Sequence, residues 1–308
     1  MTTMAAMQRE MDPYATFRGL SPQFLEGYFT WHSSGQYEGV KEFRDLRQVY
    51  DHPPPRERDD WYSEELRVVD QCYRSLAESR VLEIGCGDGN LTWKLAQRCR
   101  SLKAVDMDPR AVGLTRHRLS DLGMTRVELE CRAGDDVSAA ELGGYDVVFF
   151  VQVLEHVPGW QQGKLFDKVF SLVAPGGCLF ISTPNRWSIR DSHDTDRLFI
   201  HWWPRWIRIP VARAFDWGLK GHDPAWPYPP VLHDYVSFRW MLRRARRAWP
   251  PVKATSMSFY PTVNDWFSSR VGRSDGTLRQ ISRRLLKQVG GVLPLNYYFG
   301  EKVIFLKA

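Results

Sequence analysis

The 308-residue sequence lacks the features of a secreted or membrane-spanning protein. No apolar run reaches the ~18–20 residues that a spanning helix needs. The first residues, MTTMAAMQREMDPY, lack the basic region and apolar core of a secretory signal. The five cysteines are odd in number and scattered, without a Cys-x-x-Cys pair or the Cys/His spacing of a metal site. These absences predict a protein of a reducing compartment, which we expect to be the cytoplasm.

Two common nucleotide-binding motifs are also missing. The sequence has no Gly-Lys-Ser/Thr ending of a P-loop. The glycines of its one glycine-rich turn are spaced G-x-G-x-G, and the sixth position is Asn90, whereas a dinucleotide fingerprint requires G-x-G-x-x-G or a final alanine. The turn carries Asp88 and follows Glu83. Negative charge at this place opposes a pyrophosphate and favours a cationic ligand.

The turn itself lies between a predicted strand and a predicted helix. An apolar run at 81–84 precedes it, and apolar residues at helical spacing follow it from Leu91. Glycines let the backbone turn sharply and approach a ligand closely, and the helix points its free N–H groups at the turn. A second strand ends at Asp106, whose carboxylate can accept hydrogen bonds from a ribose diol. The stretch predicts a nucleoside-type ligand, although a tight turn without a ligand is the plainer alternative.

The stretch 81–106 resembles the first motif of class I S-adenosylmethionine-dependent methyltransferases. With 134–136, 151–158 and 176–185 it resembles the branch that includes ubiquinone-biosynthesis O-methyltransferases and small-molecule and glycan methyltransferases. The resemblance implies S-adenosylmethionine as co-substrate, with the glycine turn at its methionyl part, Asp106 at its ribose and Asp135 at its adenine. The cofactor-binding candidates are Glu83, Gly85, Cys86, Gly87, Gly89, Asp106, Met107, Asp135, Asp136 and Gln152.

Strand and helix patterns alternate from residue 63 to 185, which predicts a doubly wound α/β sheet. The resemblance implies a mostly parallel, seven-stranded, Rossmann-like sheet. We predict helices at 63–78, 109–122, 161–173 and 237–248, a break at 174–177, and later strands at 178–182, 252–260 and 297–306. The predicted organisation is an N-terminal extension at 1–60, a cofactor-binding core at 61–185, a cap at 186–232, and the rest of the core at 233–308 with a basic insertion at 261–293.

Two regions outside the core are rich in aromatic residues. Residues 17–28 hold several aromatics that could pack on the main body. Residues 186–232 contain six tryptophans and six prolines, and we interpret them as a cap over the carboxyl edge of the sheet. Residues 199–208 mix aromatics with arginines, as interfacial segments do, which suggests peripheral contact at the inner membrane face. A hydrophobic lid over an apolar substrate explains the same pattern.

Histidines at loops of the carboxyl edge are candidate bases, since a hydroxyl nucleophile must lose a proton. His156 and His233 are the predicted catalytic residues, with His193 and His201 as further candidates. A structural histidine at a helix N-terminus is the alternative for His156. In the quinone enzymes the tip of the fourth strand reads Glu-x-x-Glu-His and is associated with a divalent metal. Here Gln152 replaces the first Glu, so no metal ligand is predicted.

The expected activity is O-methylation of a small-molecule or lipid- or glycan-linked hydroxyl. A nucleic-acid methyltransferase is an alternative, because residues 233–308 carry 14 Lys/Arg against 4 Asp/Glu. Against it, no Asn/Asp-Pro-Pro-aromatic box follows the fourth strand, so a nucleic-acid partner is not expected. A non-catalytic cofactor-binding subunit and a nicotinamide-dependent oxidoreductase are further alternatives. The spacing of the glycines argues against the oxidoreductase.

Overall fold

The computed structural model describes residues 20–21, 23–24, 27–28, 31, 62, 66, 69–70, 75–138, 144–188, 191, 197–215, 233–249, 256–258 and 302–307. Several sequence predictions lie outside these residues: the helix start at Ser63, His193, the part of the cap at 216–232 and the basic insertion at 261–293.

One sheet of seven strands organises the described chain, in the order β3-β2-β1-β4-β5-β7-β6. Neighbouring strands from β3 to β5 are parallel, and β7 runs antiparallel to both β5 and β6. The mostly parallel, seven-stranded prediction is therefore confirmed. The strands are β1 Arg80–Ile84, β2 Ser101–Asp106, β3 Val127–Cys131, β4 Tyr145–Val151, β5 Val173–Ser182, β6 Ser256–Ser258 and β7 Lys302–Leu306.

Helices cover both faces of this sheet, as a doubly wound fold requires. They are α1 Asn90–Ala96, α2 Pro109–Asp121, α3 Gly159–Ser171, α4 Arg205–Ala214 and α5 Phe238–Ala248. The predicted helices at 109–122 and 237–248 are both observed, each with an N-cap: the side chain of Asp108 accepts a hydrogen bond from the N–H of Arg110, and that of Ser237 accepts one from the N–H of Trp240. In the described part of the chain, no helix is both long and apolar enough to span a bilayer.

Two apolar clusters, one on each face, form the core. The first joins β1, β4 and β5 to α3 and α5 through buried residues such as Phe150, Phe166 and Phe238. The second joins the other face to α1 and to the buried Leu66 and Val69. The strand Tyr145–Val151, apolar apart from Asp146, serves both clusters, because its side chains alternate between the two faces.

The predicted break at 174–177 is wrong. Helix α3 ends at Ser171, and β5 already begins at Val173. Backbone hydrogen bonds to Lys307, the residue after β7, hold the two glycines in the strand. The N–H of Gly176 donates to Lys307 O at 2.5 Å, and the N–H of Lys307 donates to Gly177 O at 2.9 Å. Pro175 and the glycines are tolerated in β5 because the register of its pairing with β4 shifts between Tyr145 and Val147. The pairing partner is more than 100 residues away, so local signals could not reveal it.

Candidate functional site

The glycine turn after β1 is anchored to the neighbouring strand and to a helix. Gly85, Gly87 and Gly89 all have positive φ angles, of 82°, 54° and 78°. The N–H of Gly85 donates to Val105 O at 2.8 Å. The hydroxyl of Thr115, on α2, donates to Gly87 O at 3.0 Å. The turn is thus fixed in a conformation that glycine adopts with little strain.

Two of these glycines are required by packing as well as by φ. A Cβ on Gly85 would lie 2.2 Å from Cγ2 of Val153, and one on Gly89 would lie 3.0 Å from Cα of Thr115. A Cβ on Gly87 would meet only the ring of Trp31, at 3.9 Å. Gly89 lies at the N-cap of α1 and lines neither cavity described below, so its place is structural.

Two adjoining cavities of about 350 and 230 Å³ lie at the turn. Both are lined by Trp31, Gly85, Gly87 and Gln152. Together they form one cleft along the carboxyl ends of β1, β2 and β4. Predicted cofactor residues in the larger cavity are Gly85, Gly87, Asp106, Met107, Asp135 and Gln152, and those in the smaller one are Glu83, Gly85, Cys86, Gly87 and Gln152.

Asp106 ends β2 and faces the larger cavity. Its Oδ2 accepts the N–H of Gly87 at 3.0 Å, and its Oδ1 accepts that of Asp108 at 2.9 Å. Burial raises the pKa of the Asp106 carboxyl, while these two backbone donors lower it. Each carboxylate oxygen can accept a second hydrogen bond. The backbone therefore fixes the carboxylate in position and leaves it able to bind a diol.

The charge at the turn differs from the sequence expectation. Arg118 pairs with Asp88, with 3.1 Å between Nη2 and Oδ2, so the Asp88 charge is compensated within the protein. Burial raises the pKa of Glu83 to about 8, and the carboxylates of Asp106 and Asp88 push it in the same direction. Its Oε2 has no hydrogen-bond partner among the described residues. Glu83 is therefore mostly neutral at pH 7, and its carboxyl group can still pair with a cation that enters.

The loop after β3 brings one of its two acids to the cleft. Asp135 lines the larger cavity, with its Oδ2 3.6 Å from Nζ of the exposed Lys164. Asp136 is exposed and lies outside the lining. The loop packs tightly against β1, since a Cβ on Gly134 would lie 2.8 Å from Cγ2 of Ile84.

The N-terminal extension contributes to the cleft, which sequence reasoning missed. The indole N–H of Trp31 donates to Oδ2 of Asp108 at 3.1 Å. Phe24 packs on Arg118, with 4.6 Å between Cζ and the ring centroid, and Tyr28 lines the smaller cavity. The aromatic cluster at 17–28 was the available signal, but it did not specify where on the core these rings would pack.

The two predicted catalytic histidines are brought together. His156 closes a short 3₁₀ turn, Leu154–His156, after β4 and lines the larger cavity. Its Nδ1 lies 2.8 Å from Nε2 of His233, which precedes α5. By contrast, His201 is buried and lines neither cavity. Burial lowers the pKa of His201. Among the histidines that the structure describes, His156 is the one that lines the cleft.

The residues at the tip of β4 do not converge as metal ligands. Gln152 lines both cavities, and its Nε2 donates to Oγ of Ser182 at 3.1 Å. Glu155 is buried away from both, and its Oε2 accepts the hydroxyl proton of Thr183 at 3.0 Å. Among the described residues, no group of three or more His, Cys, Asp or Glu side chains is arranged to hold a metal ion. That the cleft functions without a bound metal ion is still only a prediction.

Comparison with known proteins gives consistent relatives. The ubiquinone biosynthesis O-methyltransferase of Burkholderia lata is 39% identical over 111 residues, which are 36% of this chain and 47% of that protein. The enzyme of the same name from Leptothrix cholodnii is 33% identical over 150 residues, 49% of this chain and 58% of that protein. The chain thus spans about half the length of the curated relatives it matches.

Solved structures with a similar fold include two methyltransferases. NodS, an N-methyltransferase from Bradyrhizobium japonicum in complex with S-adenosyl-L-homocysteine, has a TM-score of 0.41 and 19% identity, and covers 68% of this chain and 82% of that one. PKMT2 from Rickettsia typhi, in complex with AdoHcy, has a TM-score of 0.48 and 13% identity. The match covers 80% of this chain and 53% of that one.

A family model described as a methyltransferase domain matches residues 59–222, just over half of the chain. The match includes β1 to β5 and the whole glycine turn. The glycine turn and Asp106 resemble the S-adenosylmethionine-binding motif of this family, and they lie at the carboxyl edge of the parallel strands. The chain belongs to the class I S-adenosylmethionine-dependent methyltransferases.

Proposed function

We propose that the chain transfers the methyl group of S-adenosylmethionine to a hydroxyl group of a small-molecule acceptor or of a lipid- or glycan-linked one. The observation that carries this proposal is the position of His156, which lies in the wall of the cleft beside the glycine turn and is hydrogen-bonded to His233. A hydroxyl needs a base at this place, because it must lose a proton as it attacks.

The cleft fits the donor in size and chemistry. Ligand pockets of about 300–1,000 Å³ are usual for molecules of this size, and the two cavities together fall within that range. Asp106 would hold the ribose, Asp135 the adenine amino group, and Met107 would flank the base in the larger cavity. Glu83 and the turn would receive the methionyl part in the smaller cavity, where Oε2 of the buried Glu83 carboxyl has no hydrogen-bond partner among the described residues.

The donor supplies a methyl group already activated by its sulfonium, so the protein's task is alignment, exclusion of water and movement of one proton. Positioning of this kind is worth about 7–11 kcal/mol in well-oriented reactions. For His156 to accept a proton at Nε2, its Nδ1 must keep a proton and donate it to Nε2 of His233. The contact between the two rings has the geometry for this hydrogen bond, with Nε2 of His233 as the acceptor.

The names of the curated relatives support a hydroxyl acceptor, since both are O-methyltransferases. The N-terminal extension and the cap would select the acceptor. Nucleic acid stays an unexpected partner. Of the basic residues 233–308 that motivated this alternative, the insertion at 261–293 lies outside the described residues.

The experiment is a labelled-donor assay. The purified chain is incubated with host metabolites and isotopically methyl-labelled S-adenosylmethionine, and products are identified by mass spectrometry. We expect a labelled methyl ether and donor binding that Asp106→Ala weakens. A labelled N-methyl product would contradict the hydroxyl acceptor. Absence of donor binding in calorimetry, beside binding of NADH, would contradict the whole proposal.

A further inference from the structure

The segment that carries His233 has no regular secondary structure of its own. Residues 233–235 belong to neither a helix nor a strand, and α5 begins only after them. Its partner His156 lies on a different element, the short turn after β4. A hydrogen bond between side chains on two separate loops forms only if both backbones are held at a fixed distance from each other.

The side chain of Gln162 joins these two backbones. Gln162 lies near the start of α3 and is 4% exposed. Its Nε2 donates to Leu154 O at 2.9 Å and to Asp234 O at 2.5 Å. Leu154 begins the turn that ends at His156, and Asp234 directly follows His233. One amide group is therefore bonded to the backbone beside each of the two histidines.

Both of these hydrogen bonds require a donor at this place. Backbone carbonyl oxygens only accept, whereas a primary amide is a neutral group with two N–H donors on one nitrogen. The partners therefore fix the orientation of the Gln162 amide, because its oxygen in the place of Nε2 would face two acceptors. A glutamate has the same shape, but its ionised carboxylate has no proton to donate.

The side chain of Asp234 is held as well as its backbone. The carboxylate pairs with Arg205 and Arg208 of α4. It also lies close to the first residue of α3, since a Cβ on Gly159 would be 2.8 Å from Oδ2 of Asp234. The residue next to His233 is thus fixed by α4 through its carboxylate and by α3 through its carbonyl group.

We infer that Gln162 is a positioning residue, which sets the distance between His156 and His233 through its two donated hydrogen bonds. Gln162 lines neither cavity of the cleft, so it acts on the rings and not on the donor or the acceptor. The inference rests on the proposed function only for its effect on the rate. The hydrogen bond between the two rings can be measured without turnover.

The first test observes that hydrogen bond by nuclear magnetic resonance. The chain is labelled with isotopic histidine, and the imidazole N–H signal shared by the two rings is identified by its loss in His156→Ala and in His233→Ala. Gln162→Met has a similar length but no N–H donor, and it should abolish this signal. The turn should still fold, because Leu154 O keeps the N–H of Val157 as a donor. Thermal melting checks that it does.

The second test measures turnover. Gln162→Met should lower kcat by about 3–10-fold and leave donor affinity unchanged. Because it acts through the rings, the combination of Gln162→Met with His233→Ala should lose no more rate than His233→Ala alone. In Gln162→Glu the buried carboxyl can donate one hydrogen bond while it is protonated and none once it is ionised. This variant should therefore show a fall in kcat with rising pH that Gln162→Met lacks.

The matched control is Ser79→Ala, which removes another buried hydrogen bond to a backbone carbonyl. The hydroxyl of Ser79 donates to Ser75 O at 2.8 Å, just before β1, at the opposite edge of the sheet from the cleft. This variant should keep the ring signal and the pH profile of the unmodified chain. Loss of the ring signal in both Ser79→Ala and Gln162→Met would reflect general destabilisation and overturn the inference.

The ring signal also separates the inference from the proposed function. A signal that Gln162→Met leaves intact overturns the inference, whatever the rate, and so does its absence from the unmodified chain. A signal that Gln162→Met abolishes while kcat stays unchanged supports the positioning of the rings. That result would instead contradict the role of His156 as the base.

Discussion

His156 Nδ1 and His233 Nε2 lie 2.8 Å apart although 77 residues separate them in the chain. The rings meet edge to face, with centroids 4.5 Å apart and an interplanar angle of 87°. One histidine follows the central strand β4, and the other returns from the cap. A shared proton therefore links the core of the fold to the part of the chain that we expect to select the acceptor.

The first prediction concerns His156. Replacing it with alanine should lower kcat by about 100-fold or more, because a positioned general base contributes about 10²–10⁴ in rate. Donor affinity should change little, since the donor is held mainly by the turn and Asp106. Steady-state kinetics and calorimetry measure the two effects. His117→Ala, at an exposed position of α2, is the control and should retain full activity.

We expect His233 to act through His156, as a positioning residue. We expect His233→Ala to lower kcat about tenfold and to move the acid limb of the pH–rate profile, while KM for the acceptor stays near its original value. His233→Asn, which keeps a polar partner for Nδ1 of His156, should restore part of the rate. A uniform loss of rate at every pH, without this rescue, would indicate a structural role only.

Glu83 should make stability depend on pH. Its folded-state pKa of about 8 lies above the usual value of 4.5, so the folded protein binds the proton more tightly than the unfolded chain. The stability linked to that proton is complete below about pH 4.5 and is lost as pH rises through 8. The linked free energy is at most about 5 kcal/mol, at about 1.4 kcal/mol per pH unit. Glu83→Gln should flatten this slope in denaturant unfolding between pH 5 and about 8.

The same residue should release a proton when the cationic donor binds. At pH 7 the Glu83 carboxyl is mostly protonated, and a nearby positive charge favours its carboxylate form. Calorimetry in buffers of different ionisation enthalpy should therefore report proton release on binding. Glu83→Gln should abolish it. Equal apparent enthalpies in all buffers for the unmodified chain would contradict this assignment.

Trp31 should be needed for tight donor binding. Its side chain lines both cavities and is held by Asp108. Trp31→Ala should weaken donor affinity about tenfold through loss of buried aromatic area, and Trp31→Phe should have a smaller effect. The matched control is Trp93→Ala, an indole of α1 that lines neither cavity. Equal losses in both alanine variants would point to general destabilisation.

Gly89 and Gly123 provide a matched pair for testing the packing of the turn. Both have positive φ, 78° and 69°, but a Cβ on Gly89 would lie 3.0 Å from Thr115 Cα, whereas Gly123 has open space. Gly123→Ala should cost about 1 kcal/mol of unfolding free energy from backbone strain alone. Gly89→Ala should cost about 2–4 kcal/mol, because overpacking adds to the strain. Denaturant unfolding measures both, and equal losses would contradict the role of the contact.

Local signals were sufficient for most of the core. The apolar run at 81–84 and the patterns of the helices at 109–122 and 237–248 predicted elements that the structure contains, because each depends on neighbouring residues. The strand across 173–177 was missed because its glycines are held by Lys307, far along the chain. The place of Trp31 was missed for the same reason: an aromatic residue in an extension has no local signal for the surface it covers.

The sequence by itself determined the order of strands and helices, the glycine turn and the acid at the end of β2, since periodicity, steric freedom and spacing are properties of adjacent residues. Only the tertiary structure decided which histidines meet, that Arg118 compensates Asp88, and that burial keeps Glu83 protonated. These properties depend on distance and desolvation between residues that are remote in sequence, and the chain must fold before either is defined.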